Sequence, residues 1–248
     1  MNKVYLCDCM EFMKGQDSGK YDLIITSPPY NLGENHHTGG NRFRAYNEYD
    51  DNLPEEEYQK WQIEVLNECF RLLKPDGSMF YNHKNRIKNG VQITPYEWLL
   101  KTNFIIKQEL VWFNGSQNFD KIRFYPMTER VYWLAKSHKT KLFNAINHHD
   151  LFDWTPDGTK GVHKRAFPEK MVIDIMRCFP NSKTIFDPFS GSGTTRIVSH
   201  KMGKDFEGCE IDKDYWEAQE ARYQQHAMQA DLFMPKEMQN EIYQEAFL

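Results

Sequence analysis

The chain has 248 residues, a formal net charge of −4 and 27% charged residues. This length allows one α/β domain with a sizeable core, and the acidic balance excludes a global positive field, so binding of nucleic acid would depend on local basic patches. A mean hydropathy of −0.75 and the short apolar runs exclude a membrane span.

The N-terminus and the cysteines indicate a cytoplasmic protein. Residues 1–8 (MNKVYLCD) enter a strand directly and lack the apolar core of a signal peptide. Five cysteines, an odd number without disulfide-framework spacing, indicate reduced thiols. Cys7 and Cys9 flank Asp8 at strand alternation and no second pair complements them, so we expect core residues there and no metal ion.

Helices and strands alternate along most of the chain. Strands are predicted at 4–8, 23–26, 78–81, 105–113, 129–135, 183–186 and 205–210, a turn at 74–77, and helices at 10–14, 96–104, 167–178, 198–202 and 215–225. A further helix begins near Pro54, where three glutamates follow and Trp61 starts an apolar stripe. This alternation predicts a single α/β domain over 1–248, with a doubly wound, mostly parallel sheet.

The strand at 23–26 ends in the segment Ser27-Pro28-Pro29-Tyr30. Each proline fixes its own φ, lacks an N–H and favours extended geometry in the preceding residue. The result is a stiff loop that offers the Ser27 hydroxyl and the Pro28 carbonyl as acceptors beside an aromatic ring. Such a loop suits a planar group that carries an NH2. Taken alone, a Pro-Pro turn that caps a core strand is the simpler interpretation.

A second loop, residues 186–195 (FDPFSGSGTT), joins a strand to a helix. Its glycines allow close approach of the backbone to a ligand, and helix N-terminal amides favour a carboxylate or phosphate. No lysine precedes Thr194, which excludes a phosphate-binding P-loop, and Arg196 replaces the third glycine of a dinucleotide fingerprint. Glu210 at the end of the next strand suits ribose hydroxyls. S-adenosylmethionine, a nucleoside with a carboxylate, matches this half-site.

Residues 26–30 (TSPPY) and 187–195 (DPFSGSGTT) together resemble the motifs of the DNA amino-methyltransferases, which methylate N4 of cytosine or N6 of adenine. Their order, with the catalytic motif first, is similar to the β group of that family. Shorter similarities at 6–8, 73–78 and 163–170 extend the resemblance over nearly the whole chain. The resemblance implies a Rossmann-like methyltransferase fold, S-adenosylmethionine as cofactor and double-stranded DNA as partner. Because the β group often dimerises, it also implies a homodimer.

The resemblance also implies the site residues. The catalytic residues are Ser27, Pro28, Pro29 and Tyr30. The cofactor-binding residues are Asp8, His163, Lys164, Phe167, Asp187, Phe189, Gly191, Ser192, Gly193, Thr194, Thr195 and Glu210. Asp8 is expected at the adenine, and the segment from His163 at the methionine end. In the family, Asp before the two prolines is associated mostly with adenine, so Ser27 slightly favours cytosine.

The chemistry follows from the amine. An aromatic NH2 delocalises its lone pair, and acceptance of both protons, by Ser27 Oγ and the Pro28 carbonyl, favours a pyramidal nitrogen that attacks the methyl group. The sequence places no evident base beside Ser27, which predicts hydrogen bonding rather than general-base catalysis. The base must leave the duplex, and we expect it to stack on Tyr30.

Two segments, 33–53 and 136–162, are predicted as DNA-recognition insertions because both combine positive charge with aromatic residues. The candidate DNA-binding residues are Arg42, Phe43, Arg44, Lys139, Lys141 and Arg165. A solvated surface loop is the alternative for 33–53.

Other functions fit less well. Methylation of RNA or of a protein glutamine uses similar loops, but the basic aromatic loop and the motif order favour DNA. A non-catalytic nucleic-acid-binding relative would not need an intact Ser27, Tyr30 and Glu210. A cytosine-C5 enzyme needs a nucleophilic cysteine, and the sequence has no Pro-Cys pair.

Overall fold

The computed structural model describes residues 1–32, 51–115, 122–143, 149–154 and 167–233. Its strands are β1 Asn2–Leu6, β2 Tyr21–Thr26, β3 Leu73–His83, β4 Arg86–Lys88, β5 Val91–Ile93, β6 Ile105–Phe113, β7 Thr128–Ala135, β8 Leu151–Phe152, β9 Thr184–Asp187 and β10 Asp205–Glu210. Its helices are α1 Cys9–Lys14, α2 Glu55–Leu72, α3 Tyr96–Leu99, α4 Glu169–Arg177, α5 Thr194–Lys201 and α6 Lys213–Phe233. None of these helices is long and apolar enough to cross a membrane.

The main sheet has eight strands in the order β1-β10-β9-β2-β3-β7-β6-β8. Strands β1, β10, β9, β2 and β3 are parallel, whereas β7 runs antiparallel to both β3 and β6. The short β8 lies parallel to β6, and β4 and β5 form a separate hairpin. This arrangement confirms the predicted doubly wound, mostly parallel sheet.

The core lies on both faces of the sheet, as the alternation along β2 illustrates. Leu23 and Ile25 belong to the apolar cluster that includes Met171 of α4, whereas Ile24 belongs to the cluster that includes Val65 of α2. Side chains of a strand alternate between faces, so a strand buried on both sides needs an unbroken apolar run. The apolar run at 23–26 is therefore explained by helices above and below it.

The strand order reverses between β9 and β2. The connection after β2 leads through α2 to β3 on one side, while the connection after β9 leads through α5 to β10 on the other. In open α/β sheets, ligands bind at the carboxyl ends of the strands at such a switch point. The loops that begin at Ser27 and at Pro188 leave the sheet at this point.

Several element boundaries differ from the predictions. The turn predicted at 74–77 lies inside β3 as a bulge, because Tyr21 pairs with Leu73 but Leu23 already pairs with Ser78. The helix predicted at 96–104 stops at Leu99, where the Thr102 hydroxyl donates to the Leu99 carbonyl. The three short strands β4, β5 and β8 were not predicted.

Candidate active site

A cavity lies at the switch point and brings the two predicted motifs together. Its walls come from the start of α1, the loop after β2, one residue of α2, the loop after β9 and the end of β10. The lining residues are Cys7, Asp8, Cys9, Ser27, Pro29, Tyr30, Trp61, Phe167, Pro188, Phe189, Ser190, Gly191, Ser192, Thr194, Cys209, Glu210 and Ile211. Among the described residues, no cluster of His, Cys, Asp and Glu could hold a metal ion.

The catalytic loop presents Ser27, Pro29 and Tyr30 to the cavity, while Pro28 is buried and does not line it. The Pro29 carbonyl accepts a hydrogen bond from the hydroxyl of Tyr58 on α2 at 2.7 Å. That carbonyl is therefore engaged by the protein, and the Pro28 carbonyl remains the predicted acceptor for an amine.

A buried layer beneath α2 fixes this loop. The Tyr58 hydroxyl also lies 2.8 Å from His83 Nε2 and accepts from Gln62 at 2.8 Å. His83 Nδ1 lies 2.8 Å from the Lys84 carbonyl, which can only accept, so Nδ1 carries the proton. Burial lowers the pKa of His83 well below its ordinary value and keeps the ring neutral. Nε2 is then an acceptor, so the single Tyr58 proton is shared between Nε2 and the Pro29 carbonyl.

The predicted recognition loop at 33–53 is held at its base next to the catalytic loop. The Asn31 amide N–H donates to Asp51 Oδ1 at 2.7 Å. The Asn31 side chain donates to the Leu53 carbonyl at 2.9 Å and accepts from the Leu53 N–H at 2.7 Å. Asn31 has a φ of 54°, a conformation that Asn tolerates better than most residues. The two ends of the loop are therefore tied together beside Tyr30.

Tyr30 contributes its hydroxyl as well as its ring. The hydroxyl lies 2.8 Å from Ser27 Oγ, 2.9 Å from Asn82 Oδ1 and 3.1 Å from Glu129 Oε2. The ring packs against the imidazole of His83 at a centroid distance of 4.5 Å. Sequence reasoning missed Glu129 because it begins a different strand, β7, which only the antiparallel pairing with β3 brings to Tyr30.

The glycine loop is supported from below by α6. Gly193 has a φ of 76°, and a Cβ at this position would meet Gln219 Oε1 at 3.0 Å. Gln219 Oε1 accepts from the Ser190 hydroxyl at 2.8 Å, and Arg222 donates to the Ser192 carbonyl at 3.0 Å. Gly193 thus serves the turn and the packing against α6 rather than a direct approach to a ligand, and it does not line the cavity.

Most amides of the glycine loop are bonded within the protein. Phe189 N–H donates to Asp187, Ser190 N–H to the Cys209 carbonyl, and Gly193 N–H to the Ser190 carbonyl. Gly191 N–H donates to Glu210 Oε2 at 2.8 Å. These four amides are therefore engaged within the protein and are not available to a carboxylate or phosphate.

Asp187 lies behind the loop and not in the cavity. It is 1% exposed, and its carboxylate accepts from Thr26 Oγ1 at 2.6 Å, Thr195 Oγ1 at 2.9 Å and Phe189 N at 3.1 Å. Burial raises the pKa of Asp187 to about 6, while these three donors oppose the shift. Asp187 and Thr195 join the catalytic strand to the glycine loop, so they position the site instead of contacting a cofactor.

Glu210 and Asp8 both line the cavity. Glu210 accepts from Gly191 N at 2.8 Å and from Asp212 N at 2.9 Å, and burial raises its pKa to about 7. Asp8 caps α1, and its Oδ1 accepts from the amides of Met10 and Glu11. Both side chains are thus held in fixed orientations.

Aromatic side chains form an apolar wall of the cavity. Phe189 packs edge-on against Trp61 of α2 at a centroid distance of 5.6 Å, and Phe167 lies nearby in the lining. The sequence placed Trp61 in the core stripe of α2, and its spacing gave no signal for another role. Its half-buried position at the cavity shows that one residue of that stripe serves the site.

Two of the predicted DNA-binding residues, Lys139 and Lys141, lie in the described part of the chain. Lys139 and Lys141 are exposed and follow the end of β7. Ala135 pairs with Ser78 in the middle of β3, whereas Tyr81, closer to the end of β3, pairs with Thr26 beside the cavity. Because β7 runs antiparallel to β3, it ends on the side of the sheet away from the cavity. Lys139 and Lys141 follow that end. Neither lysine lines the cavity.

The other predicted residues lie outside the described part of the chain. These are Arg42, Phe43, Arg44, His163, Lys164 and Arg165. Within the described part, Lys84 places a cation over Tyr30, with Nζ 5.8 Å from the ring centroid.

Solved structures share this fold. The PvuII DNA methyltransferase (cytosine-N4-specific) matches with a TM-score of 0.72 and 20% identity, over 99% of this chain and 92% of that chain. M1.HpyAVI in complex with SAM matches with a TM-score of 0.59 and 22% identity, over 90% and 99% of the two chains. The fold is that of the Rossmann-like methyltransferases.

Sequence comparison gives the family. The model of the DNA methylase family, which covers N6 and N4 methyltransferases, matches residues 21–221. Type II methyltransferase M.BglII of Bacillus subtilis is 26% identical, over 87% of this chain and 67% of the relative. Type II methyltransferase M.ScaI of Streptomyces caespitosus is also 26% identical, over 86% and 78%. The chain belongs to the N6/N4 DNA methylase family, and is a methyltransferase.

Proposed function

We propose that the chain transfers a methyl group from S-adenosylmethionine to the exocyclic amine of a base in double-stranded DNA. The observation that carries this proposal is the shared cavity. An acceptor-rich loop with Ser27 and Tyr30 lines one part, and the glycine loop with Glu210 lines another. One loop suits an amine and the other suits a nucleoside, so their meeting at the switch point brings an acceptor and a donor together.

The residues present fit S-adenosylmethionine. Glu210 and Asp8 offer carboxylate oxygens for ribose and adenine polar groups, and Trp61 with Phe189 offers aromatic surface for the adenine ring. The structure of M1.HpyAVI carries SAM in a related fold. When bound, the sulfonium supplies an activated methyl group, so the protein needs no nucleophile of its own.

The protein's own task is to prepare the amine. Ser27 Oγ and the Pro28 carbonyl are the proposed acceptors for its two protons, which leaves the nitrogen lone pair directed at the methyl group. Pro29 is held by Tyr58 and cannot move aside without the loss of that hydrogen bond. The target atom is inaccessible in a duplex, so the base must be flipped out, with Tyr30 as its stacking partner.

We propose N4 of cytosine as the first target and N6 of adenine as the second. Ser27 before the prolines favours cytosine, and the PvuII enzyme with a matching fold is cytosine-N4-specific. The curated relatives are type II methyltransferases, which supports a place in a restriction–modification pair. We also propose a homodimer, which light scattering on the purified chain tests directly.

Sequencing of host DNA that distinguishes 4-methylcytosine from 6-methyladenine tests the proposal. Expression of the chain should introduce one of the two marks at a defined sequence, and expression of Ser27→Ala should not. A host genome with neither mark, although the expressed chain is folded and soluble, would contradict the proposed function.

A further inference from the structure

The Tyr30 hydroxyl lies at the centre of a hydrogen-bond chain that reaches away from the cavity. On the cavity side it contacts Ser27 Oγ at 2.8 Å. On the far side it contacts Asn82 Oδ1 at 2.9 Å and Glu129 Oε2 at 3.1 Å. Ser27 and Tyr30 line the cavity, but Asn82 and Glu129 do not.

The orientation of the two far partners is fixed by their neighbours. Asn82 Nδ2 donates to the Arg130 carbonyl at 3.0 Å, so its Oδ1 must face Tyr30. Glu129 Oε1 accepts from Asn114 Nδ2 at 3.1 Å, which leaves Oε2 towards Tyr30. The amide oxygen and the carboxylate oxygen are both acceptors only.

These orientations determine which atom donates in each hydrogen bond of the series. A phenol has one proton, and two acceptor oxygens face it from the far side. If Tyr30 donated to Ser27 instead, three oxygen atoms without a proton between them would face each other there. Tyr30 therefore donates to the far side, and Ser27 must donate its own proton to Tyr30. The lone pairs of Ser27 Oγ are then left for a donor in the cavity.

We propose that this series of hydrogen bonds is a proton relay from the target amine to Glu129. The inference rests on the proposed function. The amine nitrogen gains the methyl group with its electron pair and loses one proton to Ser27 Oγ. Ser27 passes its proton to the Tyr30 oxygen, and Tyr30 passes its own to Glu129 Oε2, which ends as a neutral acid. The positive charge that the methyl group brings to the amine thus leaves it as a proton, which passes along the existing hydrogen bonds.

The relay gives Ser27 a base that the sequence did not reveal. Glu129 acts only through Tyr30 and Ser27, so its contribution depends on the Tyr30 hydroxyl and not merely on the aromatic ring. The relay also separates proton removal from cofactor binding, because neither Glu129 nor the Tyr30 hydroxyl belongs to the glycine loop or to Glu210.

Single-turnover methylation of duplex DNA at saturating S-adenosylmethionine tests the relay. We expect Glu129→Gln and Tyr30→Phe each to slow methyl transfer by about 100-fold. The double variant should be no slower than either single variant, because both break the same series of transfers. S-adenosylmethionine affinity, measured by calorimetry, should stay within about twofold of the wild type and shows that the variants are folded.

The pH profile separates a relay from a structural role. In the wild type the rate constant should fall in acid, and in Glu129→Gln that acid limb should be absent. Glu109→Gln is the matched control, because Glu109 is also half-buried beside Arg130, at 2.8 Å, but does not contact Tyr30. It should keep the wild-type rate and the wild-type acid limb.

The outcomes are distinguishable from failure of the proposed function. If the wild type methylates DNA and both variants match its rate, or if Glu129→Gln is slow but keeps the acid limb, the relay is wrong while the function stands. If the wild type binds S-adenosylmethionine and methylates no DNA, the proposed function fails and the relay with it.

Discussion

Two buried carboxylates next to the cavity have raised pKa values for the same reason and serve different purposes. Burial raises the pKa of Glu210 to about 7 and that of Asp187 to about 6. Glu210 lines the cavity and is available to a ligand, whereas Asp187 is enclosed by three protein donors. The first carboxylate is therefore placed to contact a ligand, and the second holds the shape of the loop.

Cofactor affinity should fall in acid because of Glu210. The folded-state pKa of about 7 lies above the ordinary 4.5, so folding favours the protonated form, and stability from this group falls as pH rises through that interval. Binding of ribose hydroxyls needs the ionised form instead. We expect the Kd for S-adenosylmethionine to rise about tenfold from pH 8 to pH 6.

Calorimetry at several pH values measures this effect, with Glu210→Gln as the control. The variant cannot ionise, so its weaker affinity should show a flatter pH dependence than the wild type. An identical pH dependence in both proteins would assign the effect to the ligand and not to Glu210.

Removal of the Asp187 carboxylate should destabilise the protein as well as the site. Asp187→Ala leaves two buried hydroxyls and the Phe189 amide without their acceptor, which should cost about 2–4 kcal/mol of unfolding free energy. Asp187→Asn keeps one acceptor oxygen and should cost less. Urea unfolding measures both, and an Asp187→Ala protein as stable as the wild type would contradict the positioning role.

At the scale of elements, α6 determines the shape of the glycine loop. Gln219 and Arg222 contact the loop from one helix, and a Cβ on Gly193 would meet Gln219 at 3.0 Å. Gly193 also has a φ of 76°, which L residues rarely adopt. The positive φ favours glycine there, and an added Cβ would also press on the Gln219 side chain.

Gly193→Ala should therefore be more harmful than a glycine substitution that strains the backbone alone. Gly203 supplies the matched control, because its φ is 63° and a Cβ there would meet no atom within 4 Å. We expect Gly203→Ala to lower unfolding free energy by about 1 kcal/mol and to leave cofactor affinity unchanged. Gly193→Ala should cost more and also weaken S-adenosylmethionine binding. Equal effects of the two substitutions on both measurements would exclude the contact with α6 as the reason.

At the scale of the whole molecule, the direction of the strands determines which basic residues lie near the site. The chain leaves β7 at the edge opposite the cavity, where Lys139 and Lys141 lie. The loop that carries Arg42 and Arg44 begins and ends beside Tyr30, since Asn31 is bonded to Asp51 and Leu53. Of the two pairs, only Arg42 and Arg44 belong to a loop whose ends are bonded at the edge of the cavity.

Salt-titrated DNA binding should distinguish the two pairs. Neutralisation of Arg42 and Arg44 together should weaken binding and lower the slope of log K against log salt by about two. Neutralisation of Lys139 and Lys141 removes the same charge and should change neither. Equal losses from both double variants would indicate general attraction by net charge instead of a surface at the cavity edge.

Features that depend on contiguous residues could be predicted from the sequence. The apolar run before Ser27 and the glycine loop before Thr194 predicted two strand ends, and the fold confirms that their loops meet. Features that depend on contacts between distant segments could not be predicted in this way. Glu129 reaches Tyr30 only through the antiparallel pairing of β7, and Trp61 is indistinguishable in sequence from the core residues of its helix. The direction of β7, which no contiguous stretch encodes, also determines that Lys139 and Lys141 follow the strand end away from the cavity.

The most direct test of the account is mass spectrometry of nucleosides from duplex DNA incubated with the purified chain and S-adenosylmethionine that carries a labelled methyl group. The account predicts label in N4-methylcytosine or N6-methyladenine with the wild type, and a large loss with Ser27→Ala at unchanged cofactor affinity. Label in 5-methylcytosine, or in no base although S-adenosylmethionine binds, would contradict it.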